Sequence, residues 1–277
     1  MITGKTSLIA HLGYPTESFK SSLIYNPYFE SIGIDAIVMP MGVQSKDYAQ
    51  FLPVLFTLSN IRGALVTMPH KVTTLSLVNE ASTAAKIAGA CNAVRLEPDD
   101  TLLGDMFDGE GFVRGMLRKG RSVAGRRALV VGSGGVGSAI AASLAAAGVS
   151  AIALYDVRDA ASQALAGRLR MHYPKLQIEV EGRDPDGYDI VVNATPLGMK
   201  KSDPLPIDVE RIAPSSYVGE VVMSEELTPF VRAAQARGCG IQVGIDMLFE
   251  QIPAYLEFFG FPTATPDQLR RIAKIVY

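Results

Sequence analysis

The run Gly132-Ser-Gly-Gly-Val-Gly137 constrains this chain more than any other feature. It follows the short apolar segment 128–131 directly, and an Ala-rich, helix-like stretch continues from Ser138. Glycine permits a tight turn and lets main-chain amides approach a ligand closely. The N-terminus of the following helix favours negative charge. A glycine pattern alone is weak. Set between a strand and a helix, with an acidic residue closing the next strand, it is specific. Gly132, Gly134, Gly135, Val136 and Gly137 are therefore candidate contacts for a dinucleotide pyrophosphate. A glycine turn without a ligand fits this context less well.

The acidic residue is Asp156, at the end of Ala151–Tyr155. A carboxylate there accepts hydrogen bonds from the ribose hydroxyls of NAD and repels the 2′-phosphate of NADP. Arg158 offers a positive charge two residues on. NAD is the expected cofactor, with NADP second. The competing reading of Asp156 is a helix or turn cap.

Around this unit, short apolar runs alternate with helical patterns, which predicts α/β architecture. Strands are expected at 7–11, 36–39 and 64–67, then a hairpin of 92–96 and 101–104 around Glu97-Pro-Asp-Asp100. A helix over 108–119 leads to a second series, with strands at 128–131, 151–155, 177–180, 190–193, 217–222 and 240–243. Helices are expected at 136–147 and 228–237, and two more, 246–259 and 266–276, close the chain. The expected division is 1–106 and 107–245, with 246–277 returning to the first part.

At 277 residues, 48% hydrophobic and 19% charged, the chain can bury the cores of two modest domains. A net charge of −2 gives no electrostatic footprint for nucleic acid. Cys91 and Cys239 form no metal or CxxC spacing, and His11, His70 and His172 give no metal signature, so no metal is expected. A reducing cytoplasm and the absence of a signal peptide are the simplest expectations. Residues 128–155 carry no charge, yet their glycines suit a buried strand-loop-helix-strand unit better than a membrane span.

Two further residues carry chemistry in principle. Lys71, in Val66-Thr-Met-Pro-His-Lys71, follows a strand end, where α/β folds place ligands. From spacing alone a solvated lysine is the simpler reading. Asp108 opens a helix and is by itself most simply an N-cap. His70 reads as helix-start packing, Cys91 as a small buried residue, and Tyr25, Tyr28 and Phe29 as a core stripe. Phe249, Tyr255, Phe258 and Phe259 read as packing of the penultimate helix. Glu220 reads first as a loop charge and second as a functional residue near the cofactor.

Taken in order, several segments resemble the shikimate/quinate dehydrogenase family. They are Gly13-x-Pro15 with Ser21 and Asn26, Val66-Thr-x-Pro-x-Lys71, Gly89-Ala-Cys-Asn-Ala93 and Asp108-Gly109. The glycine loop, Asn193-Ala-Thr-Pro-Leu-Gly-Met199 and Gly244-Ile-Asp-Met-Leu248 with Gln251 complete the series. The resemblance implies an N-terminal α/β substrate domain plus a Rossmann-type dinucleotide-binding domain, with a cleft between them. It implies a reversible hydride transfer between NAD(P) and a ring hydroxyl of shikimate, quinate or a related hydroxylated cyclic acid; the reverse direction reduces 3-dehydroshikimate. Lys71 and Asp108 would be the catalytic pair. Thr67, Asn92 and Gln251 would bind ring hydroxyls, and Ser21 the substrate carboxylate. Thr195, Val221, Gly244 and Met247 would border the cofactor. The only expected partner is a small-molecule substrate, for a monomer or homodimer without nucleic acid or membrane. The alternative is a non-catalytic NAD-binding or sensing paralogue.

The departures from the family share a direction. A serine of the usual Ser-x-Ser pair is Phe19, and the asparagine before Val-Thr is Leu65. The Asn-Thr before Asp-Gly is Met106-Phe107, and a tyrosine near the substrate is Met223. Each replaces a polar group by an apolar one, at about 1–3 kcal/mol per unsatisfied buried group. They point to a substrate with fewer hydroxyls, another ring orientation or a weaker enzyme.

Overall fold

The computed structural model describes residues 2–17, 19–180 and 182–275. They form two compact units, Met1–Phe107 with Ile252–Tyr277, and Asp108–Gln251.

In the first unit, β1 (Ser7–Gly13), α1 (Ser22–Ser31), β2 (Ala36–Gly42), α2 (Ser45–Leu55) and β3 (Ile61–Val66) alternate. Then come α3 (Lys71–Leu75), β4 (Glu80–Ala81), α4 (Thr83–Ala88), β5 (Ala93–Leu96) and β6 (Leu102–Asp105). The sheet order is β2-β1-β3-β5-β6-β4. β1 runs parallel to both β2 and β3, while β5 is antiparallel to β3 and β6. Strands covered on both faces read as unbroken apolar runs, and Ile9, Ala10 and Leu12 of β1 are fully buried. The hairpin between β5 and β6 turns at Asp100, whose φ of 64° an aspartate tolerates.

The second unit opens with α5 (Asp108–Arg118) and continues through β7 (Arg127–Val131), α6 (Gly135–Ala146), β8 (Ala151–Tyr155), α7 (Asp159–His172) and β9 (Gln177–Val180). β10 (Ile190–Asn193), β11 (Tyr217–Glu220), α8 (Pro229–Ala236) and β12 (Gly240–Gln242) follow. All pairings are parallel, in the order β12-β11-β10-β7-β8-β9. The order reverses between β7 and β10. At such a switch point the loops beyond the strand ends diverge and leave a crevice for a ligand. Leu129, Val191, Val218, Ile212 and Phe230 fill the core under this sheet.

Two helices close the chain, α9 (Gly244–Phe258) and α10 (Pro266–Ile272). The division of the chain falls inside α9, after Gln251, whereas the sequence reading set it before Asp246. Close packing accounts for this: a Cβ on Gly111 of α5 would lie 2.7 Å from the Met247 carbonyl. The first turns of α9 therefore belong with α5. Other limits shift slightly. β1 runs on to Gly13, Thr67 lies beyond β3, and α6 starts at Gly135. Val276, expected in the last helix, lies outside the described residues. Among the described residues no helix is long and apolar enough to cross a membrane, and the uncharged stretch 128–155 is β7, a loop, α6 and β8.

Candidate active site

The glycine loop sits at the switch point of the parallel sheet. Gly132 has a φ of 104°, which a side chain would strain, and a Cβ there would come 2.6 Å from the Ala194 carbonyl. A Cβ on Gly137 would lie 1.8 Å from the Gly132 carbonyl. These two glycines let the loop close on itself and on the segment after β10. Gly134 and Gly135 differ: nothing lies within 4 Å of where their Cβ atoms would be. Open space above a helix N-terminus suits a pyrophosphate approaching main-chain amides. Gly135, Val136 and Gly137 belong to the first turn of α6 rather than to a loop before it.

Asp156 follows β8, and its carboxylate is held by the protein itself. Oδ2 accepts from the Ser133 amide at 2.8 Å, and Oδ1 from the Arg158 amide at 2.9 Å. Burial works to raise its pKa, but these amides and the Arg158 charge outweigh that and hold it below the usual carboxylate value. Arg158 is largely exposed, its guanidinium Nε 3.5 Å from Oδ1. Asp156 is therefore a fixed anion, with Oδ1 shared between the Arg158 amide and Nε and a lone pair of Oδ2 left for a further donor.

The loop after β10 is organised by Glu220, which closes β11. Glu220 is 1% exposed. Its Oε1 accepts from the amides of Val221 at 2.8 Å and Val222 at 3.0 Å. Asn193 Nδ2 donates to both carboxylate oxygens, and Thr228 Oγ1 donates to Oε2 at 2.9 Å. Asn193 Oδ1 in turn accepts from the amide and hydroxyl of Thr195, whose Oγ1 accepts from the Leu197 amide. Burial pushes the Glu220 carboxyl up, against the pull of these donors. The loop-charge reading of Glu220 is thus corrected. The sequence signal was its place at the C-terminal end of a parallel strand, where buried polar groups serve ligand loops. Beside this network, Val221, Met223 and Gly244 converge: a Cβ on Gly244 would meet the Val222 and Val221 carbonyls at 2.5 and 2.9 Å and Met223 Cγ at 2.8 Å. Gln251 Oε1 is a buried atom without a partner among the described residues.

In the first unit, a group of residues gathers at the C-terminal ends of β1 and β3. A Cβ on Gly13 would lie 2.5 Å from Thr67 Cγ2 and 2.6 Å from Phe19 Cζ. Phe19 stacks on His11 with ring centroids 4.1 Å apart, and Ser21 Oγ is 2.7 Å from His11 Nδ1. Lys71 opens α3 just beyond β3, and its charge acts on His11. Burial and that charge lower the His11 pKa to about 4, so the ring is neutral near pH 7. Asn92 is buried, and its Oδ1 accepts from the Phe107 amide at 2.9 Å. Sequence reasoning missed His11. A lone imidazole inside the apolar run of β1 needs a polar partner, and that need was the available signal.

Of the apolar departures, Phe19 stands in this group. Phe107 packs edge-on to Tyr255 and Phe258, at 4.8 and 5.4 Å, in an aromatic cluster. Leu65 is buried in β3, while Met223 is 39% exposed beside Gly244. Phe107, Leu65 and the fully buried Met106 are thus core residues, which narrows the altered polarity to Phe19 and Met223. His70 is a packing residue: its Nε2–H donates to the Val43 carbonyl at 2.7 Å and its ring stacks on Tyr48. Asp108, the first residue of α5, is buried.

A parallel six-stranded sheet of this order, with a glycine loop at its switch point and an anchored carboxylate after the next strand, defines a Rossmann-type dinucleotide-binding unit. Residues 12–94 match the family model described as the shikimate dehydrogenase substrate binding domain. The shikimate dehydrogenase (NADP(+)) of Rubrobacter xylanophilus is 35% identical, covering 90% of this chain and 89% of its own. That of Geobacter metallireducens is 32% identical, over 98% and 96%. Among solved structures, shikimate 5-dehydrogenase from Listeria monocytogenes, in complex with shikimate and NAD, superposes with a TM-score of 0.90 at 25% identity, over 98% of this chain and 97% of that one. The chain belongs to the shikimate dehydrogenase family.

Proposed function

We propose that this chain is a dehydrogenase acting on a CH–OH group, moving hydride reversibly between NAD(P) and a ring hydroxyl of shikimate, quinate or a related cyclic acid. One observation carries the reading. The glycine loop of a dinucleotide-binding unit and Lys71, at the start of α3 just after β3, occur in one chain whose relatives are dehydrogenases along nearly its whole length. That full-length likeness favours catalysis over the sensing alternative.

The nicotinamide, when bound, supplies the hydride acceptor or donor. The chain's own residues do the rest. Lys71 and Asp108 are the catalytic pair, with Lys71 Nζ meeting the alcohol oxygen and moving its proton. Thr67, Asn92 and Gln251 hold ring hydroxyls. Ser21 holds the carboxylate. Gly132, Gly134, Gly135, Val136 and Gly137 receive the pyrophosphate, while Thr195, Val221, Gly244 and Met247 border the nicotinamide half.

NAD is preferred over NADP. The carboxylate of Asp156 is anchored and charged, so a 2′-phosphate meets a fixed anion, whereas ribose hydroxyls meet an acceptor. Arg158 sits near enough to moderate this without removing it. The test is the initial rate of nicotinamide reduction with shikimate and with quinate, each supplied with NAD and NADP in parallel. Faster turnover with NAD is expected. Faster turnover with NADP would overturn the preference and keep the reaction; no turnover with either acid would overturn the substrate class.

A further inference from the structure

His11 stands where the site's chemistry is least accounted for. It is the polar residue in the middle of an apolar strand, 8% exposed, and such burial is costly unless both ring nitrogens are served. Its orientation is fixed twice. Phe19 covers one face at 4.1 Å, and Ser21 Oγ takes Nδ1 at 2.7 Å. That leaves Nε2. Among the described residues no hydrogen-bond partner is recorded for it, yet it is not one of the sealed, unpartnered atoms, which are Tyr25 Oη, Ser133 Oγ and Gln251 Oε1. The nitrogen therefore keeps access to something outside the protein framework.

Its surroundings say what. Ser21, Phe19 and, through Gly13, Thr67 lie beside it, and Lys71 is close enough for its charge to act on the ring. We propose that His11 is a specificity-determining residue that, paired with Ser21, reads the carboxylate end of the substrate through Nε2, in place of the hydroxyl that Phe19 lacks. The proposal rests on the reading of this group as the substrate-binding site.

The chemistry of a neutral imidazole makes the pair adaptable. If the Ser21 hydroxyl donates to Nδ1, the ring proton lies on Nε2 and is directed outward. If Nδ1–H donates to Ser21 Oγ, the Ser21 hydroxyl is the outward donor and Nε2 accepts. It is the first tautomer that meets a carboxylate: its Nε2–H donates to the anionic oxygen, a stronger acceptor than the neutral carbonyl oxygen of a carboxamide, whereas a bare Nε2 would face the carboxylate with a lone pair. Phe19, stacked behind the ring, makes the same corner apolar. The favoured ligand is thus a cyclic acid whose carboxylate is flanked by bare ring carbon rather than by further hydroxyls.

The test uses cyclohex-1-ene-1-carboxylate and its carboxamide as unreactive probes, titrated calorimetrically into the full-length protein. Wild type is expected to bind the acid more tightly than the amide. His11→Asn keeps an amide near Nδ1 for Ser21 but removes the distal nitrogen, so acid binding should fall about tenfold or more. His11→Gln returns a polar atom near the Nε2 position and should recover part of that loss. The KM for the dinucleotide should not change in either variant. Equal binding of acid and amide by wild type, or undiminished acid binding by a folded His11→Asn, overturns the proposal. Even if neither variant folds, equal binding of acid and amide by wild type overturns the proposal. Acid-selective binding without turnover of shikimate or quinate would uphold the role of His11 and overturn the proposed reaction.

Discussion

The proposed dinucleotide site in residues 108–251 is built largely from main chain, whereas the proposed substrate site in the unit holding Lys71 is built from side chains. In the former, open space over Gly134 and Gly135 exposes amides, and Asp156 and Glu220 are themselves fixed by amides. In the latter, Ser21, His11, Asn92 and Lys71 act through their own polar atoms. Amides are present whatever the sequence, so the first strategy restricts a few positions to glycine and leaves neighbours free. Side-chain recognition changes with every substitution. Of the two apolar departures outside the core, Phe19 falls in the unit proposed to recognise by side chains and Met223 in the other.

Three substitutions bear on this contrast. The largest effect is expected at Lys71. Lys71→Met keeps length and removes the proton-transfer group, so kcat should fall by about 10²–10⁴-fold with the fold intact by circular dichroism. A variant within a few-fold of wild type would show that Lys71 is a solvated lysine after all. Next comes Gly137→Ala, in the unit built on main chain. Its Cβ would lie 1.8 Å from the Gly132 carbonyl, and backbone cannot step aside as a side chain can. A cost of about 1–3 kcal/mol or more is expected, read as a lower melting temperature together with weakened dinucleotide binding. Unaltered dinucleotide affinity would break the comparison. The smallest effect is expected at Glu220→Gln. An amide must turn a donor toward one of the groups that now donate to the carboxylate, at about 1–2 kcal/mol. The dinucleotide KM should rise while the KM for the ring acid holds. An equal rise in both would show that Glu220 serves general stability rather than the Asn193 loop.

The alternation of β7 to β12 with helices was legible because each parallel strand is a short apolar run closed by glycine or polar residues; β8, β9 and β10 begin and end where the periodicity places them. The glycine loop was legible for the same reason, since its constraint is local. Other features were hidden because they arise between distant residues. Glu220 looked like a loop charge until Asn193, 27 residues earlier, lay against it. His11 and Ser21 are ten residues apart, and no local pattern reports that a strand end and a helix start meet. Phe107 looked like a lost polar contact, whereas Tyr255 and Phe258 claim its ring.

The Glu220 network has a thermodynamic consequence. Asn193, Thr195 and Leu197 are tied to one another and to Glu220 by hydrogen bonds within the chain. Rotamers frozen during folding are not frozen again on association, so this loop contributes little entropic penalty when a dinucleotide arrives. The cost has been moved into the folding equilibrium, where burying a carboxylate is the visible part of it. Affinity at this edge of the sheet is therefore coupled to stability: conditions that loosen the fold here weaken binding before they unfold the protein.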